Sequence, residues 1–157
     1  MKPADRFDPA ATKPPAHTPR SRPLMAACRI FIAVLFIAAG VNHFVVPAIY
    51  KSIVPPTFPR PELLVIISGL AEIAGGVGLL VPRLRRLAAW GLIALLIAVF
   101  PANLYMALNP DRPPQSRLPE WSLWLRLPLQ FVLLWVVALI GLGGGTAKPS
   151  DSPPVSR

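Results

Sequence analysis

The sequence predicts an all-α membrane protein, a four-transmembrane-helix bundle, and three observations carry that expectation. Hydrophobic residues make up 54% of the 157-residue chain, a share too apolar for an ordinary soluble domain. They gather into four runs of about 19 to 23 residues, close to the ~20 that a helix rising ~1.5 Å per residue needs to cross ~30 Å of hydrocarbon. The 21 prolines collect in the first 23 residues, in the connections and near the end of the chain, leaving the runs nearly free of helix breakers.

Residues 1–23 are rich in Pro, Ala, Arg and Thr without apolar periodicity, so they bury too little surface to offset their ordering entropy and are expected to be a disordered tail. Residues 143–157 have the same character. Between them lies a membrane domain, 24–142, with helices expected at 24–46, 63–81, 87–108 and 123–142. Ala38-Ala39-Gly40 resembles a signal-peptide cleavage site, but the first run is longer than the roughly 7 to 15 residues of a signal core and is taken as a retained helix. Runs of this length in lipid mean helices, whose backbone hydrogen bonds close within the segment.

Eleven Lys and Arg residues fall in the two termini and the Arg83, Arg85 and Arg86 turn, against four (Lys51, Arg60, Arg112 and Arg117) in the other connections. The positive-inside rule then places both termini in the cytoplasm and the chain in the cytoplasmic membrane. Tyr50, Tyr105, Trp121 and Trp124 fall near the outer boundary, where amphipathic aromatic rings settle. Each half of the domain has an outward helix, an outer connection with a Pro-Pro pair (Pro55-Pro56 and Pro113-Pro114) and a returning helix, the pattern of a two-hairpin pseudo-repeat.

The net charge of +9 does not point to nucleic acid, because the basic residues flank apolar runs and are not interleaved with aromatics in a stripe. Cys28 is the single cysteine, which excludes an internal disulfide or a CxxC redox pair. His17 and His43 are expected on opposite sides of the membrane, so no bis-histidine metal or haem site is available within one chain. No nucleophile, base and orienter can be assembled from the spacing, so no catalytic residue is assigned and catalysis by the chain alone is not expected.

Polar side chains at membrane depth are costly and mark candidate sites. Glu72 lies nine residues from both Leu63 and Val81, near mid-membrane, and shares its helix face with Ser68, Gly75 and Gly76, where another helix can approach closely. Arg126, four residues from Gln130, is its candidate partner. Asn42 and His43 close the first helix, and Asn103 follows Pro101, which removes a backbone donor and is expected to kink the third. Together Asn42, His43, Glu72, Asn103, Arg126 and Gln130 form a candidate polar pocket opening outward, with Glu72 at its floor. Plainer roles stand beside this one: the amides as interhelical hydrogen bonds, His43 as a boundary residue and Arg126 as a snorkelling cation.

The stretches Ala39-Gly40-Val41-Asn42-His43-Phe44, Ile53-Val54-Pro55-Pro56, Ser68-Gly69-Leu70-Ala71-Glu72-Ile73, Val99-Phe100-Pro101-Ala102-Asn103-Leu104-Tyr105 and Arg126-Leu127-Pro128-Leu129-Gln130 occur in this order across all four runs. In this the chain resembles the DoxX-like family of small four-helix membrane proteins over about residues 25–140. The family takes its name from a subunit of a membrane thiosulfate:quinone oxidoreductase, and most members have no assigned activity. The resemblance implies an accessory subunit beside an oxidoreductase partner, with a lipid-soluble ligand such as quinone in the pocket. Two alternatives stay open: a membrane scaffold for redox or stress enzymes, and a small transporter or proton conduit, which with four helices would need to assemble as a homo-oligomer.

Overall fold

A computed structural model of the chain describes residues 21–113 and 115–143, which are helical throughout apart from their connections. The elements are α1 (Ser21–Val45), α2 (Pro47–Ser52), α3 (Pro61–Leu80), α4 (Arg85–Leu108), a 3₁₀ turn (Gln115–Arg117) and α5 (Glu120–Leu142). α1, α3, α4 and α5 are each long and apolar enough to cross a membrane. α1 begins at Ser21, inside the segment expected to be tail; the rest of the two expected tails, residues 1–20 and 144–157, lies outside the described residues. α2 was not expected at all. It forms where the chain breaks at Val46, whose backbone leaves the helical region, and restarts with Pro47 in the first turn, where proline's fixed φ suits a helix and its missing N–H costs nothing. Pro61 opens α3 in the same way, after Arg60 has turned the chain through a left-handed backbone conformation.

α1 packs chiefly on α3, α3 on α4 and α4 on α5, while α1 and α5 touch only slightly. The main core lies at the end of the bundle that carries the arginine turn, where Ala33 and Phe36 of α1, Leu79 of α3, Leu92 of α4 and Val137 of α5 meet. A smaller cluster of Met106, Ala107 and Leu123 closes the other end between α4 and α5. Most of each apolar segment remains outside these clusters: only 22% to 33% of the most apolar stretch of each candidate span is buried, and residues such as Phe31, Trp90, Ile97 and Trp135 are exposed. An exterior this apolar needs an apolar surround. In such a surround the helices gain little by leaving solvent, so they hold together by close packing and polar contacts.

The backbones of α1 and α3 approach closely. A Cβ on Gly40 would stand 2.6 Å from the Gly69 carbonyl oxygen, and one on Gly69 would stand 2.8 Å from the His43 Cβ. Two helix backbones can approach this closely only where neither carries a side chain, and this contact sets His43 directly against α3. Pro101 and Pro128 both lie inside helices, in α4 and α5, the pair whose packing sets the other half of the site.

Candidate functional site

His43, in the last turn of α1, is buried, and the Gly69 gap brings its ring to Glu72 one turn further along α3. His43 Nδ1 lies 3.0 Å from the Ala39 carbonyl, which can only accept, so this nitrogen carries a hydrogen and donates it. The same Nδ1 is 3.4 Å from Glu72 Oε2. Among the described residues, Glu72 Oε2 is buried without a hydrogen-bond partner. An unpaired buried carboxyl oxygen is costly, and such groups are retained where something else meets them.

Tyr50 of α2 covers the histidine. Its ring stacks on His43 with centroids 3.7 Å apart and planes 25° from parallel. Asn42 Nδ2 donates to the Tyr50 hydroxyl at 2.9 Å and fixes the position of the ring. The Lys51 to Glu62 ion pair, 3.6 Å, joins α2 to the start of α3 but is largely exposed and adds little. Asn42 itself is exposed, so its contribution here is to place Tyr50.

A second polar cluster brackets Pro101. Gln130 Nε2 donates to the Leu96 carbonyl, and Gln130 Oε1 accepts from Asn103 Nδ2 at 2.9 Å. One orientation satisfies both bonds: a carbonyl can only accept, so the Gln130 amide nitrogen faces Leu96 and its oxygen faces Asn103. The buried Gln130 thereby ties α5 to α4 on both sides of the proline, beside the Ile97 carbonyl that Pro101 leaves without its usual donor. Among the described residues, Asn103 has no other side-chain hydrogen bond, which leaves its Oδ1 to accept and the second hydrogen of Nδ2 to donate.

Between these clusters lies a cavity of 440 Å³, walled by α1, α3 and α4 and roofed by α2 and the segment after it. Its lining is apolar, with residues such as Phe36, Val65, Leu95 and Phe58, except for His43, Tyr50, Ser68, Glu72 and Asn103. A smaller cavity of 220 Å³ lies on the α5 side, lined by Arg126 and Gln130 and sharing Leu96, Asn103 and Leu133 with the first.

The six residues singled out from the sequence are therefore distributed over two cavities. His43, Glu72 and Asn103 line the larger one, Arg126 and Gln130 the smaller, and Asn42 supports Tyr50 from outside both. Arg126 is exposed, and among the described residues no ion pair joins it to Glu72, whose neighbour is His43. Arg126 and Gln130 stand four apart, yet Gln130 turns inward and Arg126 outward, because the packing of α5 on α4 runs between them. The residue that sequence reasoning missed is Tyr50, which had been placed in the interfacial belt. Pro47, three residues earlier, was the available signal that a short helix begins there and carries Tyr50 back over the end of α1.

A family model described as a domain of unknown function, DUF8561, matches residues 32–140. No curated protein and no solved structure matches the chain.

Proposed function

We propose, for a chain that belongs to the DUF8561 family, the role of an accessory membrane subunit that holds a small lipid-soluble ligand such as a quinone in the larger cavity. The observation that carries this reading is the cavity itself: 440 Å³ of mostly apolar lining with a few convergent polar groups at one side, within the range of small-molecule sites. The group at that side is built with care. Two glycines bring His43 to Glu72, and Asn42 holds Tyr50 across the histidine ring. Interhelical adhesion alone requires neither a buried carboxyl oxygen without a partner among the described residues nor a ring stacked on the histidine beside it.

Both termini are cytoplasmic in this reading, so the end bearing α2 faces outward and a ligand enters from the outer half of the membrane. The excess of basic residues at the opposite end supports this orientation. The ordered motifs support a relation to the DoxX-like family, and the paired Pro-Pro connections support a pseudo-repeat of two hairpins. With no redox centre assigned in its sequence, the chain would pass electrons only through an oxidoreductase partner.

The test is to purify the chain in mild detergent, extract it with organic solvent and identify co-purifying molecules by mass spectrometry. A quinone or other apolar small molecule near one per chain, lost when Val99→Trp fills the cavity, is the expected result. Only bulk phospholipid, in amounts equal for both proteins, would refute the reading.

A further inference from the structure

We infer that the end of the bundle opposite α2 holds an anionic phospholipid, its phosphate received between Arg29 of α1 and Arg85 of α4. The inference is independent of the cavity and of what the cavity contains.

Glycine contacts bring the two arginines to one level. A Cβ on Gly76 of α3 would stand 2.8 Å from the Ala33 carbonyl oxygen of α1, and one on Gly78 would stand 2.6 Å from the Ala88 Cβ of α4. About one turn further toward this end, α3 finishes at Leu80 and α4 begins at Arg85, while Arg29 stands one turn before Ala33 on α1. The two side chains are near enough for their like charges to repel. Arg85 Nε is buried without a hydrogen-bond partner, and among the described residues neither arginine has an ion pair. Two cations drawn together, one of them with a nitrogen shut away from water, are costly unless an anion joins them.

The chain has little to offer as that anion. Glu62, Asp111 and Glu120 lie toward the α2 end of the bundle, and Glu72 lies deep in α3 beside His43. The segments outside the described residues hold six basic residues against three acids, so they bring more positive charge than negative. Arg83 and Arg86 flank Arg85 and deepen the excess. A phosphate fits the pair, because the planar fork of arginine meets its oxygens in parallel hydrogen bonds. Apolar surface at the same level favours a lipid over a free anion: Ile30 next to Arg29, and Leu84 and Leu87 around Arg85, are exposed and can carry acyl chains. Basic pockets between membrane helices at the headgroup level select anionic lipids, whereas a zwitterionic headgroup brings its own cation against the arginines.

The experiment offers the full chain in detergent micelles an equal mixture of phosphatidylglycerol and phosphatidylcholine of distinct mass and counts the bound lipid by native mass spectrometry. One arginine near a headgroup surface is worth about fivefold, so the pair should favour phosphatidylglycerol by at least about tenfold. Arg29→Gln and Arg85→Gln should each reduce the preference by about fivefold, whereas Arg83→Gln, beside the pair, and Arg117→Gln, at the other end, should change it by less than about twofold. Glycerophosphoglycerol, the same headgroup without acyl chains, should bind far more weakly than the lipid. Equal binding of the two lipids by the wild-type chain overturns the inference whatever the variants do. An unchanged preference in a folded Arg29→Gln or Arg85→Gln chain, or an equal loss in Arg83→Gln or Arg117→Gln, overturns the paired site in favour of diffuse attraction by net charge. Binding of glycerophosphoglycerol as tight as that of the lipid overturns the choice of a lipid as the occupant.

Discussion

Replacing Gly69 with alanine should push α1 away from α3 and open the contact between His43 and Glu72. The added Cβ would lie 2.8 Å from His43 Cβ, 3.0 Å from Phe44 Cε2 and 3.1 Å from the Gly40 carbonyl oxygen. The phenylalanine ring can turn aside, but the other two atoms move only with the backbone of α1. Ordinary contact begins at 3.4 Å, so the helix must retreat by the difference from 2.8 Å, about 0.6 Å, at the point where His43 Nδ1 stands 3.4 Å from Glu72 Oε2. Overpacking of this kind costs about 1–3 kcal/mol. Alanine also brings a helix-propensity gain of up to about 1 kcal/mol over glycine, which Gly91→Ala measures alone, because a Cβ at exposed Gly91 meets nothing within 4 Å. Unfolding both variants in mixed detergent and dodecyl sulfate micelles, followed by helical circular dichroism, should therefore leave Gly69→Ala less stable than Gly91→Ala by about 1–3 kcal/mol. Equal shifts for the two would show that the α1 and α3 backbones do not approach as closely as described.

Three further outcomes are expected. Gln130→Leu removes both bonds that bracket Pro101 and leaves Asn103 Nδ2 without its partner, so stability in the same unfolding assay should fall by about 1–2 kcal/mol; an unchanged midpoint would mean that α4 and α5 do not depend on this link. Tyr50→Ala uncovers His43, which is 8% exposed, and in a His17→Ala background the rate of carbethoxylation of the one remaining histidine should rise severalfold, whereas Tyr50→Phe, which keeps the stacked ring, should leave it near the wild-type rate. With Cys28 replaced by serine, Ser116→Cys should react with a membrane-impermeant maleimide in intact cells and Arg83→Cys only after permeabilisation; the reverse pattern would invert the proposed orientation.

Much of this molecule is legible in its sequence, but unevenly. Glu72, His43 and Asn103 stand out because an ionisable or amide side chain in an apolar run is costly wherever the helix is turned. Their partners do not stand out in the same way. Charge alone favours Arg126 beside Glu72, yet Arg126 is exposed and the carboxyl meets a histidine. That outcome depends on the rotation of α5, which residue spacing leaves open: positions four apart sit about 40° from each other around a helix, enough for one to face α4 and the next to face outward. Tyr50 was hidden for a related reason, since its type and position fit an interfacial belt until the break at Val46 and the restart at Pro47 fold α2 back over His43.

The sequence by itself determined the four apolar helices, because length and hydrophobicity are local properties of each run and lipid admits few other ways to close the backbone's hydrogen bonds. It also marked which polar residues need an account. Only the tertiary structure decided which of them meet, because the pairing of His43 with Glu72 follows from the approach of two backbones at Gly40 and Gly69, and that approach is set jointly by all the helices packed around it.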